Sequence, residues 1–199
     1  QPDYTEVITQ IAREKPDAIY SSLWGGDLVS FIDQASLYGI FKNTQLFAIN
    51  LADYTTMSAV KNLPEGLHSA TRYVAAWPNT QSNRDYDKSY TDLYSDHPTN
   101  WSWEASVGID YLISAMKETG GTNNKKLAEY IKGRSKNSFM GVGEGNTVSI
   151  RDKDQTIVDY SIGWGTTISQ DPFMTNIQAA DWNTIEELEK EWLADKDWL

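Results

Sequence analysis

Apolar residues switch between two periods along the first third of the chain, and that alternation constrains the fold more than any single motif. From Tyr4 to Glu14, Tyr4, Val7, Ile8 and Ile11 recur at helical spacing. Pro16 then ends the helix, because the residue before a proline avoids the α region. DAIYSS (17–22) is short and β-prone, so it reads as a buried strand. A second helix runs over 27–38, with Leu28, Phe31, Ile32 and Ala35 on one face, and Gly39 stops it. QLFAIN (45–50) is a strand, ADYTTMSAV (52–60) a short helix, and LHSATRYVAA (67–76) a strand leading to Trp77-Pro78. This order predicts an α/β fold, a Rossmann-like parallel sheet with helices on both faces. The chain nevertheless opens on a helix, and about three strands follow before the pattern changes. So narrow a sheet leaves apolar faces bare, and the first half of the architecture is expected to lie outside these residues.

After Trp77-Pro78 the sequence turns polar (NTQSNRDYDKS, YTDLYSDHP). A long helix is predicted over 101–119, apolar around much of its circumference and therefore buried on several sides. GG (120–121) closes it, and a short helix follows over 124–132. Two β-like runs flank a DKDQ turn. The tail from Asp171 is acidic and carries Trp182, Trp192 and Trp198; within it TIEELEKEWL (184–193) reads as a helix capped by Asn183 or Thr184.

Seventeen basic against 28 acidic residues give a net charge of −11, a field that repels nucleic acid and anionic membrane surfaces. With no cysteine, disulfides, thiolate nucleophiles and Cys-based zinc sites are excluded. No apolar run approaches the roughly 20 residues of a membrane span. His68 lies in a predicted strand and His97 precedes a proline, neither with a partner at metal-ligand spacing. GVGEGN (141–146) lacks the helix that a dinucleotide fingerprint must open, and reads as a connection between strands. DKDQ (152–155) lacks the spaced oxygen ligands of a calcium loop. No G-x-S-x-G elbow occurs, and no pair of carboxylates is singled out by its spacing. No catalytic residue, metal site or cofactor is therefore assigned.

The βα junctions remain. In open parallel sheets ligands bind outside the carboxyl ends of strands. Trp24-Gly25-Gly26-Asp27 lies at one such end, and Asn50-Leu51-Ala52-Asp53 at the next. Trp24 reads as a platform for a ligand or as a plug in the core. The glycines allow close backbone approach. Asp27 is a helix N-cap candidate as well as a ligand contact. The candidate ligand-binding set is Trp24, Gly25, Gly26, Asp27, Asn50 and Asp53.

The run DYTEVITQIAREKPDAIYSSLWGGDLVSFIDQASLYGIFKNTQLFA resembles the second half of type I periplasmic binding proteins, and is similar in particular to the branched-chain amino acid and amide branch that serves ABC transporters. LPEGLHSATRY, WSWEASVGIDYLISAMKETGG, KLAEYIKG and the strands near VSIRDKDQ follow in the family's order, so the resemblance covers roughly residues 3 to 168. It implies two α/β lobes joined by three crossing segments, with a ligand held between them. Residues 1–76 would then belong to the second lobe, 77–150 to the first, and 151–199 to a return across the hinge and the acidic tail. It further implies an aromatic contact at Trp24, and places Asn50 where amino-acid binders carry an acid, with Asp53 three residues later. The implied function is an extracytoplasmic solute-binding component of an ABC uptake system, not an enzyme, taking an amino acid, an amide, or an aromatic or aliphatic acid. Its partners would be the small-molecule ligand, a membrane permease and the missing N-terminal half. Its home would be periplasmic or extracellular, soluble or lipid-anchored. A ligand-sensing domain of a signalling receptor with the same fold is the alternative, and an α/β enzyme the more distant one.

Overall fold

The computed structural model describes residues 2–198. They fall into two compact units. Unit 1 runs to Ser106 and takes in Ile162–Gln178; unit 2 comprises Val107–Ser161 and the chain from Ala179.

Unit 1 begins as the apolar periods predict: α1 (Thr5–Glu14), β1 (Ala18–Ser21), α2 (Gly25–Leu37), β2 (Gln45–Ala48), α3 (Tyr54–Ala59) and β3 (His68–Thr71). β1 pairs in parallel with β2, and β2 with β3. After α4 (Gln81–Tyr94) the sheet is completed by β7 (Gly163–Thr167) and β8 (Met174–Ala179), in the order β1-β2-β3-β7-β8. β7 runs antiparallel to β3, so the sheet is mixed.

Burial alternates along the strands with the period of two that a pleated sheet dictates. Leu46 and Ala48 are fully buried in one cluster with Ile8 of α1, Leu28 and Ile32 of α2, and Met57 of α3. Burying each of the larger side chains contributes about 1.5–3 kcal/mol. The other face carries Tyr20, Phe47, His68 and Trp164. Tyr20 is 71% exposed, and Phe47 stacks on His68 with ring centroids 4.5 Å apart. This is the bare face that a narrow sheet leaves.

By contacts within the described chain, residues 77–106 lie in unit 1. The cause is local. Buried Asn83 on α4 donates through Nδ2 to the carbonyls of Ala75 (2.9 Å) and Pro78 (3.0 Å), and Tyr86 meets Tyr73 edge to face. His97 then lies 2.7 Å from Asp87 and 3.3 Å from Asp171. The chain re-enters unit 1 at Ile162. α4 itself escaped the sequence reading because its face is built from Tyr86, Tyr90 and Tyr94 at four-residue spacing, in a stretch otherwise polar.

α5 (Asn100–Thr119) starts in unit 1 and ends in unit 2. Its buried apolar residues are Trp103, Val107, Tyr111 and Ala115, a single stripe at four-residue spacing, while Ile109 and Ile113 are exposed. The burial on several sides expected of it is thus reduced to one.

In unit 2, α6 (Asn124–Ile131) leads to a three-stranded antiparallel sheet, β4 (Ser135–Asn137), β5 (Thr147–Ile150) and β6 (Ile157–Val158). GVGEGN lies in the connection between β4 and β5; a Cβ on Gly141 would collide with the Asn146 carbonyl, so glycine there serves close backbone packing. α7 (Trp182–Asp195) is capped by Asp181, which accepts from the Thr184 amide, two residues before the earlier of the two expected caps, Asn183.

Two interactions tie unit 2 together. The Tyr111 hydroxyl donates to the carbonyls of Arg134 (3.0 Å) and Val148 (2.8 Å), joining α5 to the sheet, and burial pushes its phenol up to about 12. Arg151 binds Asp154 and, at 2.5 Å, Glu189 of α7, which also receives Lys153 at 3.2 Å. Arg151 holds both carboxyls below their ordinary values.

Tyr111→Phe removes one donor from two carbonyls, and is expected to cost about 1–2 kcal/mol in urea unfolding. An unchanged midpoint would mean that water replaces the hydroxyl. Because the Asp154 and Glu189 values are depressed on folding, their contribution is present above the unfolded carboxyl range and is lost as pH falls below it and through the lower folded values. The urea midpoint of the protein should therefore fall more steeply between pH 5 and about pH 2 than that of Arg151→Met. Equal slopes would show that the network has no linkage to folding.

Candidate functional site

Three consecutive parallel strands end at one edge of the unit 1 sheet, and each sends a side chain to the same place. Trp24 follows β1, Asn50 and Asp53 follow β2, and Arg72 follows β3. The first turn of α5 adds Asn100 and Trp101. These six residues line a cleft of about 200 Å³, floored by Ile49, Ala70 and Ile162.

The connection from β1 to α2 is built to present Trp24. Leu23 N–H donates to Ser21 Oγ (3.2 Å), and Asn50 Nδ2 donates to the carbonyls of Ser22 and Leu23, each at 3.3 Å. Gly25 then takes a left-handed φ of +54° that a side chain would strain. A Cβ there would meet nothing within 4 Å, so conformation, not space, requires glycine. The result leaves Trp24 66% exposed, which rules out the core plug. Its ring stands 6.5 Å from that of Trp101, edge to face.

Arg72 lies with its guanidinium 4.9 Å from the centre of the Trp101 ring, a cation–π contact. Its Nη1 is 3.3 Å from Glu104 Oε1, one turn further along α5. With the Asn100 amide oriented by its partners, Oδ1 accepts from Arg72 Nη2 at 2.8 Å and Nδ2 donates to Asp53 Oδ1. Asp53 Oδ2 accepts from the Thr55 hydroxyl. Burial pushes the Glu104 carboxyl above its ordinary value, and Arg72 opposes that shift. The chain Thr55–Asp53–Asn100–Arg72–Glu104 thus fixes one cation between two acids beside two indole rings. Such an arrangement has the groups to bind and orient a small molecule; among the described residues of the cleft none is a nucleophile held beside a base.

Of the six residues expected at the site, Trp24, Asn50 and Asp53 meet in this cleft. Gly25, Gly26 and Asp27 instead line a separate one with Ser30 and Thr56. Asp27 is in the first turn of α2, whose N-cap is Trp24, so it is not the cap. Arg72, Asn100, Trp101 and Glu104 went unread. Arg72 follows the third strand, which ends at Thr71, whereas the sequence reading ran that strand to residue 76 and so kept Arg72 inside it; the α5 residues carry no signal until the fold places them. His68 and His97 lie elsewhere, in the Phe47 stack and between Asp87 and Asp171. Among the described residues no group of three or more His, Asp or Glu side chains is placed to hold a metal.

No curated protein sequence matches the chain. Solved structures do. A solute-binding protein of an ABC transporter from Rhodopseudomonas palustris BisB5, in complex with 3,4-dihydroxybenzoic acid, superposes with a TM-score of 0.77 at 21% identity, over 92% of this chain and 50% of that one. An amino-acid ABC transporter substrate-binding protein from Pseudomonas fluorescens Pf-5 gives 0.74 at 17% identity, over 92% and 48%. A leucine-binding protein from Thermotoga maritima gives 0.66 at 18%, over 90% and 48%. The chain therefore spans about half the length of the structures it matches, and at these identities they establish the fold alone. The sequence profile of the periplasmic binding proteins matches residues 1–163. The chain belongs to the periplasmic binding protein family.

Proposed function

We propose that this chain is part of an extracytoplasmic solute-binding component of an ABC uptake system, and that it holds a small organic solute in the unit 1 cleft without transforming it. The observation that carries the reading is the convergence of Trp24, Asn50, Asp53 and Arg72 from three successive strand ends, the position at which open α/β sheets take ligands. A broad indole face and a fixed cation suit recognition of a solute by shape and charge. Relatives of the same fold support the class: their bound or named solutes are 3,4-dihydroxybenzoic acid, benzoate and leucine. In this reading a companion segment supplies the remainder of the fold, a hinge motion closes it over the solute, and a membrane permease receives the cargo. Its place is the periplasm or the cell exterior. Among the described residues no helix is long and apolar enough to cross a membrane.

The test is a thermal-shift screen of the full-length polypeptide carrying this sequence, against amino acids, amides, ureas and organic acids. A true ligand at 100 times its Kd stabilises by about 2.7 kcal/mol, a readable shift. The hit should be recovered chemically unchanged, and the shift should be lost in Trp24→Ala with the unliganded melting temperature retained. Silence across the panel removes the transport reading, and consumption of the hit makes the protein an enzyme.

A further inference from the structure

α7 holds one face against unit 2 and leaves another without cover. On the inner face, Trp182 Nε1 donates to the Tyr160 carbonyl (2.7 Å), and Glu189 receives Arg151 and Lys153. On the outside, Leu188 is 59% exposed, Trp192 51% and Trp198 66%. Leu188 and Trp192 stand one turn apart and form a continuous apolar row.

Trp198 joins that row through a fixed helix end. Asp197 takes a left-handed φ of +52°, and its N–H donates to the Ala194 carbonyl at 3.1 Å. The Trp198 N–H reaches back to the Leu193 carbonyl at 2.9 Å. These are the two bonds of a Schellman end. They set the Trp198 ring edge to face against Trp192, with centroids 5.0 Å apart. Two large aromatic side chains are thus placed by the backbone and still left exposed. Their order is settled before any partner arrives, so covering them costs little entropy.

A row of acids runs alongside. Glu187, Glu191 and Asp195 recur at four-residue spacing, all exposed. Lys196 pairs with Asp195 at 2.8 Å, whereas Glu187 and Glu191 have no ion pair among the described residues. Like charges one turn apart destabilise a helix, and cations placed opposite would remove that cost. Between Asp181 and Trp198, seven carboxylates stand against two lysines. This charge sets aside two occupants: a second α7 would bring acid against acid, and an anionic membrane surface would repel the row. The match to the family profile ends at residue 163, before α7 begins, so nothing in that match dictates its cover.

We propose that the outer face of α7 docks a separate protein whose apolar groove is rimmed by lysine or arginine, with Trp192 and Trp198 as anchors. Three partly exposed side chains fall short of the roughly 800 Å² per partner of a stable interface, and suit the centre of a transient one. This docking is independent of what the unit 1 cleft holds.

Photo-crosslinking tests it. p-Benzoylphenylalanine is placed at position 188 of the full-length polypeptide, in the cells that naturally make it, and the attached peptide is identified by mass spectrometry. The expected product joins α7 to one other protein, at an apolar segment flanked by lysines or arginines. Its yield should fall at least about tenfold in Trp192→Ala, and likewise in the double variant Glu187→Lys, Glu191→Lys. That charge reversal relieves repulsion along the helix, so its urea midpoint should hold or rise, which separates lost docking from lost folding. Replacing the partner's facing lysines or arginines by glutamate should then restore the product. Attachment to a second copy, to lipid, or to another part of the same polypeptide overturns the proposal. So does an absent product, or a yield that the charge reversal leaves unchanged.

Discussion

Everything at the cleft depends on three short parallel strands ending at one edge. Register is what achieves this. Tyr20 pairs with Phe47 and Phe47 with His68, so β1, β2 and β3 run out within a residue or two of one another. The three following segments then start side by side. A slip of one residue in any pair would turn its buried set toward the open face and carry Trp24, Asn50 or Arg72 away from the others. The register is held by burial of alternate residues against α1, α2 and α3, with Leu46 and Ala48 at the centre. The apolar packing of unit 1 and the polar geometry of its cleft are thus consequences of the same pairing.

Within that frame Asn50 has two duties. Its amide nitrogen holds the β1–α2 connection, so that the backbone around Ser22 and Leu23 cannot drift and Trp24 stays outward. Its amide oxygen is left for the cleft. An acid at this position would lose the donor and release the connection, which gives a physical reason for an amide here and for the carboxylate standing three residues later at Asp53. Asp53 in turn is held by Thr55 and Asn100, and through Asn100 it is coupled to Arg72.

Much of unit 1 was legible in the sequence because its signals are local. Helical spacing in α1 and α2, β-prone runs at DAIYSS and QLFAIN, and Gly39 as a stop depend on neighbours in the chain. What could not be read depends on contacts distant in sequence. The place of 77–106 in unit 1 rests in part on His97 reaching Asp171, far along the chain. α4 hides its period in tyrosines, and β8 lies in a tail whose acidity suggested no strand. At the site, strand ends were readable and gave Trp24, Asn50 and Asp53. Asn100, Trp101 and Glu104 come from the first turn of α5, and only folding brings a helix start beside Arg72.

The central claim is that the strand ends of unit 1 grip a solute, and a crystal structure of the full-length polypeptide with its solute bound tests it most directly. The account predicts density for the solute lying flat against Trp24, with an acceptor group within hydrogen-bonding distance of Arg72. Solute density elsewhere, with Trp24 and Arg72 both facing open solvent, would contradict it.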